Sequence, residues 1–301
     1  MPQDASAQLL DPVAIARAEA LGILAREIVE GFMVGENKSP FHGFSIEFAQ
    51  HREYAPGDDT RHLDWKVLGR TDRYYLKQYE QETNYVAHLL LDGSESMNYG
   101  SGKLTKFQYA KVMAACLAYV ILLQRDAVSL NIFDTSARTV IPCTGNRDMI
   151  FEITAKLAAF QPTGGTGIGQ ILHEVAHQTR RRGLVIVISD LFDDETKILD
   201  GIRHLRFNGH EVIVFHVLDP HELNFPFKGT VEFVGLEQLP KLLTRPAEIR
   251  NSYLSELEKF LNFIRLGCEK NRCHYTLVNT AQSLHEMLSG YLAFRRRTST
   301  R

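Results

Sequence analysis

From Tyr85 onward, apolar runs of about six residues alternate with longer stretches in which apolar side chains recur every three or four positions. The short runs predict buried strands and the longer stretches predict amphipathic helices. In chain order they give a strand from Val86 to Leu91 and a helix from Lys106 to Leu123, the latter opened by the capping box Thr105-x-x-Gln108. Strands from Ala127 to Phe133 and from Thr139 to Pro142 follow, then helices from Arg147 to Phe160 and from Ile168 to Arg181. A strand from Leu184 to Ile188, a helix from Glu195 to Phe207 and a strand from Val212 to Val217 come next. The last part holds a long helix from Ala247 to Lys270, a strand from Tyr275 to Val278, and a helix opened by a second capping box, Ser283-x-x-Glu286.

Runs such as Leu184-Val185-Ile186-Val187-Ile188 are apolar on both faces, as parallel strands covered by helices on both sides must be. The fold class is therefore α/β, a doubly wound and mostly parallel sheet. Right-handed crossovers gather the C-terminal ends of the parallel strands on one edge, where ligands bind in such sheets.

Upstream, Asp11-Pro12 offers an N-cap and a first-turn proline, and Ile15, Leu21, Leu24 and Ile28 keep near-helical spacing to Gly31. Residues 38–84 are aromatic, glycine-punctuated and dense in both charge signs, with the alternating stretch Phe44-Ser45-Ile46-Glu47-Phe48, which predicts a small β-rich segment. The expected organisation is an N-terminal helix and charged segment over 1–84, the α/β domain over 85–293, and a basic tail over 294–301 with Arg295-Arg296-Arg297.

Composition narrows the partners. The 301 residues are 44% hydrophobic and 23% charged, enough for a sizeable core. With 34 basic against 36 acidic residues, no whole-chain basic footprint points to nucleic acid or an anionic membrane. The cysteines, Cys116, Cys143, Cys268 and Cys273, form no disulfide framework, which suits a reducing compartment. The start Met-Pro-Gln-Asp has neither the basic stretch nor the apolar core of a secretory signal, so a cytoplasmic location is expected. The apolar run from Val112 to Leu123 is too short to span a bilayer and reads as a buried helix.

The candidate chemistry lies at the strand ends. The first strand runs into Asp92-Gly93-Ser94-Glu95-Ser96, the strand from 184 into Ser189-Asp190, and the loop before helix 168 reads Thr163-Gly164-Gly165-Thr166-Gly167. All three should meet on the C-terminal edge. They offer carboxylates and hydroxyls without sulfur or imidazole, a set of hard oxygen ligands suited to Mg2+, Mn2+ or Ca2+ rather than Zn2+. Spacing Asp92, Ser94 and Ser96 two apart in a turn can aim them at one point, and the glycines around Thr166 allow close backbone approach. The plainer reading is that Asp92 and Asp190 only cap loops, which Asp and Ser favour without any metal.

This constellation resembles the von Willebrand factor A family, whose metal-ion-dependent adhesion site follows the pattern D-x-S-x-S, then a threonine, then an aspartate. The resemblance implies that Ser94, Ser96 and Thr166 ligate the ion directly and that Asp92 and Asp190 contact it directly or through water. It also implies one open coordination position, typically filled by a carboxylate of the bound partner.

A second block is more specific. Glu47-Phe48-Ala49-Gln50-His51-Arg52-Glu53-Tyr54, then Pro56-Gly57-Asp58-Asp59-Thr60-Arg61-His62-Leu63-Asp64-Trp65-Lys66, then Arg70-Thr71 and Lys77-Gln78-Tyr79-Glu80, packs charge densely around the only tryptophan. This looks like the bacterial family labelled domain of unknown function 58, in which such a segment precedes a von Willebrand factor A-like domain. Its members are commonly associated with MoxR-type AAA+ ATPases, which implies an adaptor or chaperone-like partner. From the residues alone, the block is a salt-bridged unit packed on the sheet with Trp65 as anchor, a direct partner-binding surface, or both.

The sharpest rival is His173-Glu174-Val175-Ala176-His177, which matches the H-E-x-x-H pattern of zinc metalloproteases. Ile168, Ile171, Leu172 and Val175 form the buried stripe of that helix, which puts both histidines roughly 140° to 180° away on its outer face. The glycine expected three residues after the second histidine is Arg180, and Glu195 is the conceivable third ligand. An aspartyl-phosphate nucleophile at Asp92 would need a second Asp where Ser94 stands. Gly165-Thr166-Gly167-Ile168-Gly169 lacks the P-loop lysine, and Cys268-x4-Cys273-His274 supplies only three soft ligands. Glu95, Asp193 and Asp194 either tune cation affinity or cap helices. The expectation is metal-gated protein binding without catalysis. The alternative is a metal-dependent hydrolase, using the oxygen site to activate water or zinc at His173 and His177, for which the sequence places no general base.

Overall fold

The computed structural model describes residues 20–25, 28–29, 47–54, 64–71, 73–80, 86–179, 181–235, 241–284 and 291. Its centre is a six-stranded sheet built from β3 (Val86–Asp92), β4 (Ala127–Phe133), β5 (Ala137–Thr144), β6 (Leu184–Ser189), β7 (Glu211–Leu218) and β10 (His274–Asn279), in the order β10-β7-β6-β3-β4-β5. All neighbours are parallel except β5, which runs antiparallel to β4 at one edge. There Pro142 sits in an outer strand, where a missing N–H is tolerated. Pairing in register sets Leu89 opposite Leu130 on one side and Ile186 on the other, so β3 lies in the middle.

Alternate residues of the central strands feed two apolar cores. Leu89, Leu91, Ile132, Ile186 and Ile188 point to one face, covered by α2 (Lys106–Leu123) and α3 (Met149–Ala159). Leu90, Val185, Val187, Val212 and Val214 point to the other, covered by α4 (Ile168–Gln178), α5 (Glu195–Phe207) and α7 (Pro246–Lys270). This is the doubly wound arrangement that the two-faced apolar runs require. α2 is buried on most of its circumference, so its sequence is apolar all round. By length and composition it could cross a membrane, but here it is a core helix with 78% of its apolar window buried. It starts at the expected capping box: the Gln108 N–H donates to Thr105 Oγ1 at 3.2 Å, and the Thr105 N–H donates to Gln108 Oε1 at 3.0 Å.

The helical residues 20–25 and 28–29 pack Leu21, Ala25 and Val29 into the α2 core, while the Asp11-Pro12 start of this helix lies outside the described residues. β1 (Glu47–Glu53) pairs antiparallel with β2 (Tyr75–Glu80), with α1 (Trp65–Thr71) between them in the chain. Asp64 accepts from the N–H groups of Lys66 and Val67, capping α1. Trp65 is not an anchor: it opens α1 and stays 66% exposed, while the Asp64 N–H bond to the Tyr75 carbonyl ties the helix start to the strand pair. Three short elements after β7 have no counterpart in the apolar pattern. α6 (Pro220–Asn224) is opened by an Asp219/Glu222 capping box, and β8 (Val231–Phe233) pairs with β9 (Leu242–Thr244). Of the helix expected after Ser283, residues 284 and 291 are helical, and Tyr291 is buried in the α2 core; the tail over 294–301 lies outside the described residues.

Candidate metal centre

The five residues singled out as oxygen ligands, Asp92, Ser94, Ser96, Thr166 and Asp190, lie at the C-terminal edge of the sheet. Asp92 is the last residue of β3 and is fully buried. The chain turns sharply after it: Gly93 packs against Phe160 so closely that any side chain would collide with that ring. Ser94 and Ser96 follow on a 3-10 turn over Glu95–Asn98, with Ser94 Oγ and Ser96 Oγ 3.0 Å apart. The Ser94 N–H donates to Asp92 Oδ1 at 2.9 Å, folding the D-x-S-x-S segment onto its own carboxylate.

The glycine-rich loop is tied to the same point. The Glu95 N–H donates to the Gly164 carbonyl at 2.9 Å and the Thr163 N–H to the Gly93 carbonyl at 3.1 Å. Gly164 takes a left-handed φ of +74°, which a glycine adopts without strain. The loop thereby brings Thr166 Oγ1 to 3.4 Å from Asp92 Oδ2. That oxygen also accepts from Ser189 Oγ at 2.5 Å, at the end of β6. Asp190 is next, fully buried, and Leu191 beyond it holds a positive φ of 57°. A branched residue there is strained; the Ser189 Oγ bond to the Leu191 N–H at 2.9 Å helps hold the turn that presents Asp190.

One member of the site was not foreseen. Lys106, first residue of α2, is fully buried and places its Nζ 2.7 Å from Asp190 Oδ2 and 2.7 Å from Glu222 Oε1 of α6. Its ammonium also stands 4.8 Å from the centre of the Phe192 ring. Burial opposes that charge, but the two carboxylates outweigh it and raise the Lys106 pKa above the usual lysine range. Burial first, and then the charge of Asp190, pushes Asp92 up to about 7, against the hydrogen bonds from Ser189 and Ser94 that favour its ionised form. Burial likewise raises Glu222.

The charge balance tests whether a cation suits this donor set. Three carboxyl groups (Asp92, Asp190 and Glu222) gather around one ammonium (Lys106), and the raised pKa of Asp92 reflects the lack of further positive charge beside its buried oxygens. Ser94, Ser96 and Thr166 add neutral oxygens beside Asp92. A hard divalent cation matches these oxygen atoms, so the residues fit the group. Asp134, at the end of β4, is outside this count because Arg138 lies 3.4 Å from its carboxylate.

The remaining acidic residues resolve into local roles. Asp193 Oδ2 accepts the Gly169 N–H near the start of α4, and Asp194 Oδ1 accepts the Thr196 and Lys197 N–H groups as the N-cap of α5. Asp219, at the end of β7, accepts from the Ser101 N–H, Ser101 Oγ and the His221 N–H, tying the loop after the 3-10 turn to α6. The signal for it was in the sequence, since Asp219-Pro220-His221-Glu222 is an N-cap, a first-turn proline and a capping-box glutamate. Cys268 and Cys273 are buried in the second core. His177 is exposed and His173 half-buried on the outer side of α4, as the helical phase predicts, and both face His204 of α5. Glu195, considered as a third ligand, lies nine residues before His204 and thus about 13 Å away along α5.

A doubly wound, mostly parallel sheet with an antiparallel edge strand is a von Willebrand factor A-like fold. The family model described as "Protein of unknown function DUF58" matches residues 50–259, and the chain belongs to that family. Uncharacterized proteins of Mycobacterium bovis and Mycobacterium tuberculosis are each 26% identical over 226 residues, spanning 73% of this chain and 70% of theirs. Among solved structures, the conserved hypothetical protein BatB from Bacteroides thetaiotaomicron is similar with a TM-score of 0.50 and 20% identity, covering 71% of this chain and 99% of that one. The SpRpn10 VWA domain matches with a TM-score of 0.40 and 16% identity over 68% of this chain and 93% of that domain.

Proposed function

We propose that the protein is a non-catalytic, metal-dependent protein-binding module, in which Asp92, Ser94, Ser96, Thr166 and Asp190 hold Mg2+ (or Mn2+ or Ca2+) and a partner's carboxylate completes the coordination. The observation that carries this reading is the convergence of Ser94 Oγ, Ser96 Oγ, Thr166 Oγ1 and the buried carboxyl groups of Asp92 and Asp190 at the ends of β3 and β6. The bound cation would supply the electrostatic attraction for an acidic side chain. The chain's own residues do the rest: Ser94 and Ser96 turn toward each other, the Gly164 turn delivers Thr166, and Lys106 holds Asp190 in place. Phe192, 39% exposed with its ring centre 4.8 Å from the Lys106 ammonium, offers apolar surface beside the polar centre.

The partner proposed is a MoxR-type AAA+ ATPase, with this chain as its adaptor; membership of the DUF58 family is the support for that choice. The test is a pull-down of purified candidate ATPase by wild type and Asp92→Ala, each with Mg2+ and with chelator. Recovery by wild type in Mg2+ alone is the expected result. Equal recovery in all four conditions would remove metal dependence, and no recovery in any would remove the ATPase as partner. Calorimetric titration with Mg2+ separates the two questions, since binding to wild type and loss in Asp92→Ala is expected whatever the partner.

A further inference from the structure

Lys106 shares a carboxylate with the proposed ligand set. Its Nζ lies 2.7 Å from Asp190 Oδ2, so one of the two oxygens that Asp190 offers at the edge of the sheet is already engaged by a cation of the chain itself. The same ammonium lies 2.7 Å from Glu222 Oε1. Glu222 is fixed for this contact: its Oε2 accepts the Asp219 N–H at 2.7 Å in the capping box of α6, and Tyr253 Oη donates to its carbonyl at 3.0 Å. With 1% of the Lys106 side chain exposed and the Phe192 ring 4.8 Å from its ammonium, water and salt screen this charge poorly.

We propose that Lys106 is a built-in competitor of the metal at Asp190, and that Glu222, by drawing on the same ammonium, sets how strongly it competes; this rests on the reading of Asp92, Ser94, Ser96, Thr166 and Asp190 as a divalent-cation centre. Two effects of the ammonium oppose each other. It orients Asp190, which favours a metal, and it repels a second cation at the same carboxylate, which disfavours one. Orientation has other sources. Asp190 is enclosed after the end of β6, Ser189 Oγ accepts the Leu191 N–H at 2.9 Å, and Asp190 Oδ1 accepts the Phe192 N–H at 3.4 Å. The repulsion has no such substitute, and between two cations on one buried carboxylate it acts at low dielectric, where Coulomb energies are large. Repulsion therefore outweighs orientation.

The competition is confined to Asp190. Asp92 takes its hydrogen bonds from the Ser94 N–H, Ser189 Oγ and Thr166 Oγ1, all neutral donors. What the arrangement would do is hold the cation loosely until a partner's carboxylate adds negative charge of its own. It also gives α6 a role at the centre, since that short helix carries Glu222.

The test is calorimetric titration of the full chain with Mg2+ at a single pH, comparing wild type, Lys106→Met and Glu222→Gln. Changes to groups behind a metal ligand alter affinity by about 10–100-fold. Lys106→Met is expected to bind Mg2+ more tightly by a factor in that range, and Glu222→Gln more weakly. Opposite signs separate the electrostatic role from a structural one, because damage to the fold lowers affinity in both variants. Equal or weaker binding by folded Lys106→Met overturns the inference and leaves the cation centre standing, as does unweakened binding by Glu222→Gln. Mg2+ binding by none of the three proteins overturns the centre and the inference together. Circular dichroism before titration establishes that each variant is folded. Should Lys106→Met not fold, wild type decides by NMR: Lys106 is the buried lysine among the described residues, so its side-chain ammonium gives the slowly exchanging signal, which Mg2+ is expected to shift. An ammonium signal unmoved at Mg2+ saturation overturns the inference.

Discussion

Lys106 carries a full charge with 1% of its side chain exposed, between two carboxylates at 2.7 Å. Replacing it with Met keeps the stem and removes the charge, leaving Asp190 and Glu222 buried without their cation. Breaking such a buried arrangement by removing one partner costs about 3–5 kcal/mol. Urea unfolding of Lys106→Met in chelator should show a loss of that order, and saturating Mg2+ should restore part of it by supplying positive charge to the same oxygens. A variant as stable as wild type in chelator would mean that Asp190 and Glu222 are protonated or rehydrated at little cost. The contrast between Lys106 and the five proposed ligands is also one of legibility. Asp92, Ser94 and Ser96 declare themselves within five residues, and Thr166 and Asp190 sit beside glycines or at a strand end. Lys106 finds its partners 84 and 116 residues away, and at the start of an apolar helix it looks like an ordinary solvated residue.

At the scale of elements, the crossing of α4 and α5 depends on two missing side chains. Gly201→Val should cost about 1–3 kcal/mol, because the added atoms overlap Leu172 and the Gly169 carbonyl in a packed interface. The measurement is the urea midpoint, with Gly69→Ala in the exposed α1 as a control whose Cβ meets nothing within 4 Å. Equal midpoints for Gly201→Val and wild type would mean the helices separate freely. Strands and long helices were legible because their signals are local: the Thr105/Gln108 box opens α2 where expected, and α5 spans the expected Glu195–Phe207. The expected strand from Thr139 to Pro142 extends in both directions, to Ala137–Thr144, because hydrogen bonds from β4 continue past the apolar residues. The expected helix from 168 to Arg181 stops at Gln178. Short elements such as α6, β8 and β9 have too few residues to show a period at all.

For the molecule as a whole, buried histidines make stability depend on acid. His88 is held at about 4 by burial and then by the neighbouring His210, and His216 at about 4 by burial. A folded-state pKa below the unfolded value of about 6.5 means the unfolded chain takes up the proton first. The stability is therefore complete above about pH 6.5 and is lost as pH falls toward 4. A shift of that size corresponds to about 3 kcal/mol for each group. Asp92 acts in the opposite sense: its raised pKa means stability is lost as pH rises toward about 7 in the absence of a cation. Comparing wild type with His88→Gln isolates one histidine, and the stability difference between pH 7.5 and pH 4.5 should be smaller in the variant. Parallel curves would place His88 in contact with water.

What the sequence determined by itself is everything carried by neighbours along the chain: the alternation of strand and helix, the caps, the two-faced burial of β6, and the gathering of Asp92, Thr166 and Asp190 on one edge by the handedness of βα crossovers. Only the tertiary structure decided the rest. The strand order β10-β7-β6-β3-β4-β5 chose which residues distant in sequence became partners. It set Lys106 between Asp190 and Glu222, and the glycine-lined crossing of α4 and α5 put His204 against His173, 31 residues away. It also left Trp65 exposed on α1. Local propensities and hydrophobic period fix how a segment is shaped and which face it buries, but the energy of a buried ion pair or an imidazole cluster depends on distance in space, which no periodicity in the chain encodes.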